Sequence, residues 1–157
     1  RRQMGRINLA MPFSIKDGPP PPEASASQGQ AFWGRWGLFT SDASGNRAKP
    51  RYTALVWLTS LGEDRLALAG EGSWVTGISA KKGNVTQVIL TNYDVSGKHS
   101  ETVPVKFVGL TGANYSYGER LMSGASKTID VSAVNGEISQ QVYLKANDSV
   151  FIELIPK

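Results

Sequence analysis

The chain of 157 residues contains no cysteine, and that one absence removes disulfides, thiolate metal sites and cysteine nucleophiles together. It fits a cytoplasmic protein, yet secreted bacterial enzymes without cysteine are common, so it leaves the compartment open. Histidine is nearly absent too: His99 stands alone, between Lys98 and Ser100 beside a glycine turn, where an exposed loop residue is expected rather than a general base. No His/Asp/Glu group has metal-ligand spacing and no calcium loop is evident, so neither metal nor cofactor is expected. Nowhere does an apolar run approach the ~18 residues of a membrane span. Arg1-Arg2-Gln3 opens the chain without Met or an apolar stretch, which reads as a cleavage boundary with any secretory signal absent or removed.

The net charge of +4 is unevenly placed. Residues 1–62 carry +5 and residues 63–157 carry −1. The basic residues are scattered and sit on no recognisable nucleic-acid motif, so neither nucleic acid nor membrane is expected as a partner. At 40% hydrophobic and 19% charged residues, the composition is that of a globular chain able to bury a core.

The pattern changes near residue 62. Residues 6–15 (RINLAMPFSI) read as a strand with Ile7, Leu9 and Met11 on one face, weakened by Pro12. Four prolines at 19–22 and a Ser/Ala/Gln/Gly stretch make 16–30 a loop. An aromatic segment (AFWGRWGLF) and a turn come next. Residues 50–61 (PRYTALVWLTSL) are the one expected helix: Pro50 suits its first turn and Gly62 its C-terminal cap. Tyr52, Leu55, Val56 and Thr59 share a face, widened by Leu58 and Leu61, which should pack against something.

From residue 64 the periodicity becomes that of short strands, expected at 64–69, 73–81, 85–92, 101–109, 115–122, 138–145 and 149–155. Alternation is clearest in Val103–Val105–Phe107 and Val150–Ile152–Leu154. Turn residues divide the strands at Lys82-Gly83-Asn84, Ser96-Gly97-Lys98, Thr111-Gly112-Ala113, Asn135-Gly136 and Ala146-Asn147-Asp148. About seven short strands at this spacing indicate an antiparallel sandwich or barrel.

Three short motifs, in order, carry a family resemblance: Trp36-Gly37-Leu38-Phe39, Lys49-Pro50-Arg51-Tyr52 and Asn92-Tyr93-Asp94. Together with RINLAMPFSIKDG before them, they resemble the C-terminal portion of clan A glycoside hydrolases, the family 39 β-xylosidase type in particular. The resemblance implies a mainly β fold, an antiparallel β-sandwich preceded by a βα remnant of a (β/α)8 barrel. Residues 1–62 would supply the last barrel strand, a long aromatic loop and the last helix, and residues 63–157 the sandwich. It also implies that both catalytic carboxylates, at the ends of barrel strands four and seven, lie outside this chain.

The expected function is therefore a non-catalytic accessory domain of a glycoside hydrolase acting on β-linked plant polysaccharides or oligosaccharides. The alternative is an autonomous module binding β-glucan or xylan through surface aromatics. Trp33, Trp36 and Asp17 are the candidate sugar contacts before residue 62, since loops at the C-terminal ends of barrel strands build active sites. Trp74, Tyr93, Tyr115, Tyr117 and Tyr143 are the aromatic candidates on the sandwich, Trp74, Tyr115 and Tyr117 foremost, with Tyr115 and Tyr117 placed on one strand face by alternation. Packing is the competing role for each of these rings. Carbohydrate or the missing barrel is the expected partner, with self-association open to the 6–15 strand through its unpaired edge. A secreted or periplasmic location is expected, a cytoplasmic one remaining compatible.

Overall fold

The structure, a computed structural model, describes residues 14–19, 36–72 and 74–157. They fall into two compact units, one up to Thr59 and one spanning Ser60–Lys157.

The second unit is mainly β with antiparallel sheets, as the strand-length periodicity requires. Its strands are β1 (Asp64–Arg65), β2 (Val75–Lys82), β3 (Val85–Asn92), β4 (Glu101–Phe107), β5 (Asn114–Leu121), β6 (Ser126–Ser132), β7 (Ile138–Leu144) and β8 (Ser149–Pro156). Six form one sheet in the order β1-β2-β3-β8-β5-β6, and β4 pairs with β7 in a second. Register carries the alternation into a core: Val88 opposite Ile152 and Tyr117 opposite Leu154 put one face inward. Val105, Phe107, Ile138, Val142 and Leu144 of the smaller sheet join them in one apolar cluster. The opposite face of the large sheet is bound by polar links. Gln87 donates through Nε2 to Glu153 Oε1 at 3.0 Å, and Arg120 donates to Glu153 Oε2 at 2.9 Å.

Two connections show turn chemistry directly. Lys82 and Val85 pair across Gly83-Asn84, with positive φ only at Gly83 (58°), the arrangement of a II′ hairpin. Val134 and Glu137 exchange backbone hydrogen bonds of 3.0 Å across Asn135-Gly136, both at positive φ (53° and 74°), which is the I′ arrangement.

Three strand expectations change. The strand expected over 64–69 is only two residues long: after Leu66 N–H donates to Ser79 O at 3.1 Å the chain leaves the ladder. The one expected over 101–109 ends at Phe107, before Gly109 turns the chain at a φ of 71°. Strand β6 is an addition to the sequence reading. Nearly all of it is exposed, and only Ile129 and Val131 alternate as apolar residues, because an edge strand has little core to cover.

In the first unit, the helix α1 (Pro50–Ser60) begins where Pro50 directs it, with Lys49 O accepting from Tyr52 N at 2.8 Å. Its buried residue is Trp57, not the Tyr52–Val56 stripe read from periodicity; Tyr52, Val56 and Leu58 are exposed. Lys16 and Phe39 form a parallel bridge, and Phe39 bridges Ala48 antiparallel. The rest of the strand expected over 6–15 lies outside the described residues.

Candidate functional site

Chemistry-bearing side chains gather at the end of the sandwich where β2 begins and β3 ends. The ladder continues one pair beyond Val75 and Asn92, since Tyr93 N–H donates to Trp74 O at 2.8 Å. Next, the chain turns through residues 94–99, and the turn is built by one carboxylate. Asp94 Oδ1 accepts from Ser96 N at 2.9 Å, and Oδ2 accepts from Lys98 N and His99 N, both at 2.8 Å. The Ser96 hydroxyl bonds both oxygens. This set, the Ser96 hydroxyl first and the His99 amide next, holds the Asp94 carboxyl well below the usual carboxylate range.

Asn92, fully buried, reaches across the sheets. Its Nδ2 donates to His99 O at 2.9 Å and Lys145 O at 3.1 Å, which leaves its Oδ1 buried without a partner. His99 is thus gripped at its amide by Asp94 and at its carbonyl by Asn92. Its imidazole stacks on the Trp74 indole with centroids 5.1 Å apart and planes inclined by 28°. At 3.1 Å its Nε2–H donates to Glu101 Oε2, a carboxylate oxygen that can only accept. The result is a fixed stack of indole, imidazole and carboxylate, with Trp74 itself 42% exposed.

The sequence candidates separate. Tyr115 and Tyr117 do share a face, but it is the core face. Tyr117 is fully enclosed, meets Phe107 edge-on at 6.5 Å and donates its hydroxyl to Glu119 at 2.8 Å. Burial, with the Glu119 bond second, pushes that phenol above its ordinary range. The Tyr115 hydroxyl accepts from Gly112 N at 2.9 Å. Neither ring offers a surface, because alternate residues of a strand facing a second sheet belong to the core. Asp17 is likewise internal: Lys49 Nζ lies 2.9 Å from its Oδ2, and Gly37 N donates to Oδ1 at 2.7 Å. Trp36 is 65% exposed, with its carbonyl accepting from Arg51 at 2.8 Å. Trp33 lies outside the described residues. Tyr93 and Tyr143, the other two aromatic candidates, are exposed. His99 and Glu101 are not among the residues that sequence reasoning selects; the available signal was the Asn92-Tyr93-Asp94 turn, which leads into residues 94–99.

Elsewhere on the sandwich, a groove of about 580 Å³ runs beside β4 between the sheets. Leu68, Val88, Val105, Phe107, Leu110 and Tyr115 line it, with Lys81 and Lys106 at its margin and no carboxylate among its lining residues.

No protein-family profile and no curated protein matches the chain. Solved structures do. The GH39 enzyme from Xanthomonas axonopodis pv. citri superposes with a TM-score of 0.61 at 14% identity, covering 82% of this chain and 34% of that one. A glucosidase from Croceicoccus marinus gives 0.58 at 10% identity, covering 77% and 34%. Xyn30A, a glycoside hydrolase family 30 subfamily 8 xylanase from Clostridium acetobutylicum, gives 0.56 at 15%, covering 76% and 31%. The chain therefore spans about a third of the length of these neighbours. What they share with it is a fold, that of a β-rich portion of glycoside hydrolases.

Proposed function

We propose that this chain is part of a glycoside hydrolase, with the sandwich a non-catalytic accessory domain and residues 1–62 the end of its (β/α)8 barrel. The observation that carries this reading is the shared fold over a third of three such enzymes. The ordered motifs at 36–39, 49–52 and 92–94 point the same way. The parent enzyme would act on β-linked plant polysaccharides or oligosaccharides, outside the cytoplasm, and the partner of this chain would be the rest of its barrel. A retaining glycosidase needs two carboxylates about 5–5.5 Å apart with free access to the sugar. Asp17 is engaged by Lys49, Asp94 by its own turn and Glu119 by the buried Tyr117 hydroxyl, so these three serve structure.

Incubation with aryl β-xylosides and β-glucosides tests the reading. No turnover above buffer is expected; hydrolysis abolished by one carboxylate substitution would overturn it. The alternative, a module with a row of surface aromatics, loses Tyr115 and Tyr117 to the core and keeps Trp74, Tyr93 and Tyr143 exposed.

A further inference from the structure

The stack at the end of the sandwich has a chemistry of its own. An indole with a covered face and an exposed remainder offers a flat, apolar, electron-rich surface. Beside it stand groups that hydrogen-bond: the His99 imidazole stacked on it and the Glu101 carboxylate bonded to that imidazole. The His99 and Glu101 side chains are 36% and 38% exposed. A saturated ring with C–H bonds on one face and hydroxyls at its rim matches both parts. We propose that Trp74, His99 and Glu101 form a binding site for one pyranose unit of a neutral oligosaccharide.

Preorganisation favours a ligand over a merely capped sandwich end. The Asp94 turn and the buried Asn92 amide hold His99 by its backbone on both sides. His99 in turn holds the indole. Little side-chain freedom is then lost when a ligand stacks there, which is where small sites gain affinity. Glu101 gives one oxygen to the imidazole, and a carboxylate has acceptor capacity for about three further hydrogen bonds. The half-solvated carboxylate disfavours a protein partner, because an apolar interface would strip its water without replacement. Sugar hydroxyls replace that water bond for bond. The sugar's place in a longer polysaccharide rests on the glycoside hydrolase reading; the site itself rests on these three side chains.

Titration of the whole chain with xylo- and cello-oligosaccharides, followed by tryptophan fluorescence and calorimetry, decides the matter. Saturable binding in the millimolar range is expected, weakened about tenfold by Trp74→Ala, as loss of one aromatic contact implies. Glu101→Gln, a surface change that leaves the fold alone, should weaken it severalfold, while Trp36→Ala should leave it unchanged. Absence of saturable binding, or binding that neither Trp74→Ala nor Glu101→Gln alters, overturns the proposal. Either result leaves the accessory-domain reading standing, since that reading is decided by hydrolysis.

Discussion

The two units are held together by different physics. In Ser60–Lys157, register brings apolar residues from two sheets into one cluster, with Leu144, Val150 and Ile152 fully enclosed. In the unit up to Thr59, three short segments converge on a buried ion pair. Asp17 and Lys49 are nearly inaccessible, Gly37 is tied to the same carboxylate, and Phe39 rests on Tyr52 at 4.8 Å. Among the described residues of that unit, Trp36, Tyr52, Val56 and Leu58 are exposed. A strand-rich segment can pair all its backbone groups and bury one face by itself. A loop with one helix cannot, and a specific polar clamp takes over the task of fixing its geometry. This is also the unit proposed as the edge of a larger barrel, where exposed apolar residues would have a surface to meet.

Removing one partner of the clamp should have the largest effect. Lys49→Ala leaves a buried carboxylate uncompensated, a loss of about 3–5 kcal/mol. It should appear in hydrogen exchange as lost protection at the Asp17 and Gly37 amides with the β3 and β8 amides unchanged. Equal loss in both units would break the comparison. Ile152→Ala opens a cavity in the sandwich and should cost about 2–5 kcal/mol by denaturant titration. Here protection should fall across β3, β5 and β8 instead.

A smaller effect separates the polar end of the sandwich from its core. Because the Asp94 carboxyl is depressed in the folded chain, its stabilisation is complete above the unfolded value of about 4. It is lost as pH falls below that value toward the folded one. The thermal midpoint of the wild type should therefore drop below about pH 4 more steeply than that of Asp94→Asn. Parallel acid profiles would show that the turn contributes no pH-linked stability. Smallest of all, Asp130→Ala removes an exposed pair, with Lys157 Nζ at 2.6 Å, and should change stability by less than about 1 kcal/mol.

Much of the sandwich is legible in the sequence because its strands alternate and its turns use residues that only a few backbone conformations suit. Gly83-Asn84 announces the β2–β3 hairpin, and Asn135-Gly136 the tight turn by which the chain passes from β6 to β7. Strand β6 escapes because, at an edge, side-chain polarity records solvent rather than pairing. The candidate site is only partly visible. Trp74 stands out as an aromatic, but its partner His99 looks like an ordinary loop histidine, since the grip of Asn92 on its carbonyl spans seven residues. Tyr115 and Tyr117 fall on one face by alternation, without any indication of which face.

By itself, then, the sequence determined the class of the second unit, the start of the helix at Pro50 and most strand boundaries. These arise from local rules, period and backbone preference, that act within a few residues. Only the tertiary structure decided that Tyr117 is core and Trp74 surface, that Asp17 is buried against Lys49 and Gly37, and that His99 and Glu101 join Trp74. Each of those outcomes depends on which segments approach one another. That is set by the sum of burial over a whole sheet rather than by any residue's neighbours in sequence.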